Sequence, residues 1–327
     1  MKNGILIVLV GLLSCTISQG QDQEKYGLSI KEASQLYDAG DYKASSEKYK
    51  EAFDHLGGKA YHNDRYNAAC SYALIEDVEN AYYHLFYLAE HTNIKYRNYN
   101  HITVDTDLKS LYNDERWEKL ISIVKANKDD YEKDLDKPLV AILDTIYQLD
   151  QSYRMQIDGI EEEHGRDSDE MKAHWALINE TDSINLIKVK NILDTRGWLG
   201  RNVIGGQGNT TLFLVIQHSD IETQKKYLPM MREAVAEGNA SGSSLALLED
   251  RVALREGNRQ IYGSQIGRDM DSGEHYVSPL VDPENVNERR AEVGLGPIED
   301  YVGRWDVIWD VEKHKKRTAK IEAEEEN

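Results

Sequence analysis

The residues equipped for chemistry gather in the second half of this 327-residue chain. His218 stands in Gln217-His218-Ser219-Asp220, directly after an unbroken apolar run at 212–216. Asp250 and Arg251 interrupt a second apolar run at 245–254, and Asp150, Gln151 and Arg154 close a third apolar segment. Gln260, Tyr262 and Gln265 surround Gly263, whose missing side chain permits close backbone approach. Histidine titrates near neutrality, so His218 is the expected general acid or base, with Asp250 as its catalytic partner. A guanidinium grips carboxylate or phosphate through a fork of donors, which makes Arg154 and Arg251 the expected clamps for an anionic group. Asp150, Gln151, Gln217, Gln260, Tyr262 and Gln265 complete the expected ligand-binding set. The same residues admit a second reading: Asp150 with Arg154 at i,i+4, and Asp220 or Asp250 with a neighbouring Arg, form a closed network that fixes helix packing. Both readings stay open.

Helices must carry most of these groups. Leu139, Ile142, Leu143, Ile146 and Leu149 recur at helical spacing after Pro138, whose fixed φ suits a first turn. A long helix is expected over 169–194, with Leu177, Ile184, Ile187 and Leu193 as its apolar face. Gly200, Gly205, Gly206 and Gly208 read as a loop, after which Asn209 or Thr210 caps a short helix reaching His218. Asp220 caps the next helix, disturbed at Pro229, and 241–244 opens another that reaches Glu256. Residues 260–266 and 275–280 read as a hairpin. In a strand Gln260, Tyr262 and Ser264 share one face, so Gln265 joins them only through a bulge at Gly263. His164 and His174 are expected in solvent, and the charged segment 311–327 is expected to be a mobile tail.

Over about 139–301 the chain resembles an uncharacterised bacterial domain, domain-of-unknown-function family 6624. The resemblance rests on Asp150-Gln151-x-x-Arg154, Asp182-x-x-Asn185-x-x-Lys188, Gly197-Trp198, Gln217-His218-x-Asp220, Gln224, Leu248-x-Asp250-Arg251, Gln260-x-Tyr262-Gly263-x-Gln265 and Asp282-Pro283-Glu284-Asn285-Val286 with Arg289-Arg290. It implies no activity. A signature made mostly of polar residues is more typical of a site than of a core. Leu199 follows Trp198 where the family often has proline, so the turn there is expected to differ.

The first half has a different texture. Gly40-Asp41-Tyr42 with Ser45, Tyr49 and Ala52 forms one unit, and Ala69, Tyr72, Asp77, Ala81, Leu85 and Leu88 forms the next. The offset from Ser45 to Ala81, 81 − 45 = 36, is similar to the tetratricopeptide period, with small residues where helices cross closely. A third, degenerate unit runs from Asp105 through Trp117, Leu120, Ile121 and Val124. Such arrays offer a concave surface to a protein or peptide, and Tyr61, Tyr66, Tyr82, Tyr83 and Tyr87 are the expected groove residues. The alternative is that so short an array only packs against its neighbour.

Composition bounds the rest. With 58 acidic and 39 basic residues the net charge is −19, which argues against a nucleic-acid partner. Lys2, the apolar run 5–13 and small residues before Gln21 read as an export signal cleaved there. Leu12-Leu13-Ser14-Cys15 also resembles a lipoprotein processing site, so membrane attachment is expected only if Cys15 is lipidated. Cys70 is then the single structural thiol, and it reads as a packing residue. No Lys-Ser/Thr follows the glycines as a nucleotide loop needs, no Gly-x-Ser-x-Gly is present, and His218-x-Asp220 matches no standard zinc pattern, so neither cofactor nor metal is expected.

The expectation is a mainly α protein: signal at 1–20, tetratricopeptide-like repeats at 21–130, an α-rich domain with a small β-hairpin at 131–310, and a tail at 311–327. Its expected role is an exported, periplasmic or extracellular interaction module joined to a domain that binds a small polar or anionic ligand. The alternative is an exported hydrolase or transferase using the His/Asp/Arg set.

Overall fold

Two aspartates 36 residues apart, Asp41 and Asp77, start helices in the same way. Each carboxylate accepts the N–H three residues on, from Ala44 and Asn80. Each cap follows a residue of left-handed backbone, Gly40 or Glu76, that breaks the preceding helix. The computed structural model describes residues 5–270 and 272–325, without the side chains of 5–21 and 325. The processing expectations at Cys15 and Gln21 fall on residues whose side chains are not described, and the last two residues of the expected tail lie outside the described residues. Among the described residues no helix is long and apolar enough to cross a membrane. The chain divides into two compact units, Met1–Lys133 and Asp134–Asn327.

The first unit is a succession of helices: α1 (Ile5–Asp38), α2 (Tyr42–His55), α3 (His62–Leu74), α4 (Val78–Glu90), the single turn α5 (Tyr99–Ile102), a 3-10 segment Thr106–Leu111, and α6 (Glu115–Glu132). Neighbours pack through small residues. Ser45 Oγ donates to the Ala33 carbonyl at 2.9 Å and lies 3.0 Å from Ser71 Oγ, while Ala33, Ala52, Ala69 and Ala81 are fully buried. Leu85, Leu88, Leu108, Leu111, Leu120 and Val124 fill the space beside them, each worth roughly 1.5–3 kcal/mol of burial. Tyr66 and Tyr82 belong to this core and do not line a surface; Tyr61, Tyr83 and Tyr87 are exposed. The charge-dense segment 125–132 continues α6.

The second unit opens with α7 (Lys137–Arg154), capped by Asp136, then α8 (Ile157–His164), α9 (Asp169–Arg196), α10 (Arg201–His218), α11 (Ile221–Ala236) and α12 (Gly242–Arg255). Of the glycines expected in a loop, Gly200 is the N-cap of α10 and Gly205, Gly206 and Gly208 lie inside it. Only Gly205, at φ 72°, breaks the helical path, and Asn209 is no cap: it donates to the carbonyls of Leu199 and Asn239. Gly208 has a packing reason, because a Cβ there would come within 3.1 Å of Leu143 on α7. α9 turns a different face inward than its leucines and isoleucines suggest. Met171, Ile178, Val189, Ile192 and Leu193 are buried with His174 and Asn185, while Leu177, Ile184 and Ile187 are exposed. His174 is not solvated, since its Nε2 lies 2.7 Å from the Tyr153 carbonyl.

The hairpin is shorter than its sequence suggests. β1 (Ile266–Arg268) and β2 (His275–Val277) pair antiparallel, with Arg268 opposite His275; 260–265 is a turn touching Leu280 by one bridge. After a 3-10 turn at Pro283–Asn285 come α13 (Val286–Glu292), α14 (Ile298–Val302), a 3-10 turn Gly303–Trp305, and α15 (Val311–Glu325). The expected mobile tail is this helix: His314 and Thr318 are buried, and Arg259 pairs with Glu322 at 2.7 Å.

One titration is built into the first unit. His84 is buried between Phe53 and Tyr72, with Arg65 Nη1 3.2 Å from its Nδ1. Burial and the Arg65 charge push its pKa from 6.5 down to about 4. A depressed histidine pKa makes its share of stability complete above 6.5 and lost as pH falls toward 4, by up to about 3 kcal/mol. Urea unfolding between pH 7 and 4 is expected to reveal this slope, and His84→Gln to flatten it; equal slopes in both proteins would refute the assignment.

Candidate functional site

The buried stripe of α7 is Leu139, Leu143, Ile146 and Asp150, so a carboxylate occupies a core position. α10 lies beside α7 pointing the same way. Thr211 Oγ1 reaches the Leu143 carbonyl and His218 Nδ1 reaches Asp150 Oδ1, and both pairs are 68 residues apart in sequence. Two helical turns of common register therefore bring the last residue of α10 onto Asp150, at 2.9 Å. Asp150 Oδ1 also takes Arg154 Nη1 at 3.2 Å, and Oδ2 takes Gln151 Nε2 at 2.7 Å. Arg154 continues to Asp182 of α9 with two bonds, at 3.1 and 2.7 Å. Burial alone would raise the Asp150 pKa; the His218 and Arg154 partners and the Gln151 amide outweigh it and hold the carboxyl below its ordinary range. A carboxylate at Nδ1 requires a proton there, so neutral His218 keeps its lone pair on Nε2.

The end of α10 is tied down from α12. Arg251 Nη1 donates to the Gln217 carbonyl at 3.0 Å, Arg255 Nη1 donates to the Ser219 carbonyl at 2.8 Å, and Gln224 Nε2 serves both carbonyls. These donors satisfy acceptors that a helix C-terminus leaves open. Arg251 Nε donates to Gln265 Oε1 at 3.0 Å, which joins the turn after α12 to the same cluster. Arg251 makes no ion pair with a carboxylate among the described residues, and burial, with Arg255 and Arg154 nearby, pushes its pKa down.

His218, Gln217, Arg251 and Gln265 line one open cavity of about 670 Å³. Phe213, Leu247, Tyr301, Trp175 and Trp305 supply its apolar wall, Arg166, Arg268 and Glu161 its remaining charges, and His275 also lines it. Glu161 is engaged by Arg268 at 2.8 Å. The lining thus carries an excess of positive charge in a chain of net charge −19. His218 also borders a smaller cavity of about 200 Å³ with Asp150 and Asp182. Donor atoms of Asp150, Asp182 and His218 lie within 4.8 Å of one another, as a metal ion would need, but Arg154 already pairs with both carboxylates.

Six expected site residues do not line the large cavity. Asp250 is fully buried and accepts the backbone N–H groups of Ile261, Tyr262 and Ser264 at 2.7–2.9 Å. Burial raises its pKa against the pull of those N–H groups. It shapes a turn and is no partner of His218. Gln260 is also fully buried; its amide bonds the backbone of Gln265 and Ser278. Tyr262 gives its N–H to Asp250 and its carbonyl to Arg290, itself 1% exposed. Gly263, at φ 68°, allows the turn to press on Ile298, which a Cβ would meet at 2.7 Å. Asp150, Gln151 and Arg154 stand behind His218, so they position and do not line the cavity. Sequence reasoning missed Arg166, Arg268, His275 and Tyr301. The pairing of Arg268 with His275 across the hairpin was the one readable signal for two of them.

Residues 133–312 match the model of a family of unknown function (DUF6624). Neither the curated proteins nor the solved structures contain a match to the chain.

Two outcomes are expected. Asp250→Ala strands three buried N–H groups and should lower the unfolding free energy by about 3 kcal/mol or more in urea titration; a loss under 1 kcal/mol would contradict the turn-holding role. Imidazole ¹⁵N spectra near pH 8 should find His218 with its proton on Nδ1, and Asp150→Asn should mix the tautomers. An Nε2-protonated ring in the unaltered protein would refute the pairing.

Proposed function

Because the chain belongs to DUF6624, a family that brings no activity with it, we propose from the site's own chemistry that the second unit binds a small anionic ligand, and that the whole is an exported two-module protein. One observation carries the reading: Arg251 is a largely desolvated guanidinium, bound only to neutral acceptors, at the wall of an open cavity. A cation removed from water without a counter-charge is costly, and an anion entering the cavity offsets that cost. Arg166 and Arg268 reinforce the attraction. Phe213, Trp175 and Trp305 suit an apolar portion of the same ligand.

A second reading is favoured by the Asp150–His218 bond. A histidine oriented at Nδ1 by a buried carboxylate presents Nε2 as a base, and after protonation as an acid, which suits a hydrolase or transferase. In that reading Asp150 positions the ring, Arg251 holds the anionic group, and Asp250 has no catalytic part. The first unit is read as a tetratricopeptide-like interaction module for a protein or peptide. The 36-residue offset between Asp41 and Asp77, the small buried contacts at Ser45 and Ala81, and the exposed Tyr61 and Tyr83 support it. Export is read from the apolar run 5–13, with lipid attachment at Cys15 as the variant form.

Calorimetric titration of the full chain with inorganic phosphate, pyrophosphate and succinate tests the binding proposal. At least one anion is expected to bind, more weakly in high salt, and Arg251→Ala should weaken it tenfold or more, about 1.4 kcal/mol. The variant should lose no more than about 2 kcal/mol of stability. Binding unchanged in Arg251→Ala, or no binding of any of the three anions, would remove the proposal.

A further inference from the structure

The hairpin, the segment 305–310 and α15 line a second open cavity, of about 390 Å³, beside the anion site proposed above. His275 and Trp305 form the partition, since both line the two cavities. Beyond it lie Trp309, the segment 306–310 and the first turns of α15. Part of this wall, Lys313, His314 and Arg317, falls outside the family match, which ends at residue 312.

We propose that this cavity binds a neutral saccharide. Its charges are mixed where those of the first cavity are lopsided. Glu274, Asp306 and Asp310 share the lining with Lys313 and Arg317, so the three acidic and two basic groups largely cancel and leave little net field to hold a bare ion. Arg317 is already engaged, lying over the Tyr276 ring at 4.7 Å and 3.4 Å from Glu274. The Lys313 ammonium and the Asp306 carboxylate make no ion pair among the described residues, which leaves one donor and one acceptor at the cavity wall.

Between these polar groups stand two half-buried indoles, Trp305 and Trp309, and Ile308 is 88% exposed beside them. An exposed isoleucine flanked by two tryptophans is apolar area awaiting a cover. A ligand that fits must offer apolar faces and, around their edges, groups that both donate and accept hydrogen bonds, without net charge. A pyranose ring is built this way: its C–H faces lie on aromatic rings and its hydroxyls serve carboxylate and ammonium alike. The volume falls within the roughly 300–1,000 Å³ of small-ligand sites. Helix α15 lines the cavity, so the segment expected as a loose tail is part of the binding wall.

Tryptophan fluorescence and calorimetry of the full chain, titrated with chitotriose, maltotriose and cellotriose, test the proposal. A saturable response to at least one trisaccharide is expected. Trp309→Ala should weaken it tenfold or more. Asp306→Asn, a substitution at an exposed residue that leaves the apolar packing in place, should weaken it several-fold and guards against a misfolded tryptophan variant. Arg251→Ala should leave it unchanged, which separates this site from the anion cavity. No saturable response to any of the three sugars, or a response that persists undiminished in both variants of the second cavity, overturns the inference.

Discussion

Asp150 is the constraint around which the second unit is arranged. A carboxylate at a core position of an apolar helix costs several kcal/mol unless every lone pair is used. Here the neighbours are close at hand: Gln151 and Arg154 from the same helix, His218 from α10, and Asp182 reached through Arg154. The His218 contact depends on how α7 and α10 pack. Gly208 permits the close approach to Leu143, and ten residues later the shared register delivers His218 to the carboxylate. Helix packing and the orientation of an imidazole are one event.

The outer end of α10 extends the same logic. Its open carbonyls draw Arg251 and Arg255 from α12 and Gln224 from α11, so three elements converge where His218 sits. Arg251 thereby becomes a cation fixed by neutral groups, and its remaining capacity faces the cavity. An acidic chain with a basic hollow focuses anions there, because low-dielectric walls concentrate the local field.

Much of the polar signature serves backbone instead. Asp250 gathers three N–H groups of one turn, Gln260 braces the loop that follows, and buried Arg290 takes the carbonyls of Tyr262 and Gly296. Site and packing network, which looked like rival readings of one list, divide it: Gln217, His218, Arg251 and Gln265 face the cavity, while Asp250, Gln260 and Tyr262 hold the turn that presents Gln265. The two jobs are mechanically linked, since the Gln265 side chain contacts Arg251.

Local chemistry was legible from the chain alone. The helical class, the cap at Asp220, the helix start at Ser241 and the Asp150–Arg154 pair follow from side chains acting within one turn. The same reasoning erred where the outcome depends on a distant surface. α9 has apolar residues on more than one face, and only its neighbours decide that Val189 is buried and Ile187 exposed. Gly205 to Gly208 spell a loop by propensity, yet packing against α7 makes a helix interrupted at one residue. The charged α15 lacks a strong apolar stripe but finds partners in Arg259 and the hairpin. Which carboxylate meets His218 was undecidable by spacing, because Asp150 is 68 residues away and Asp250 only 32, and hydrogen bonds obey distance in space. The amino-acid order determined which groups are able to ionise, cap and pack; the parallel seating of α7 and α10 decided which of them meet.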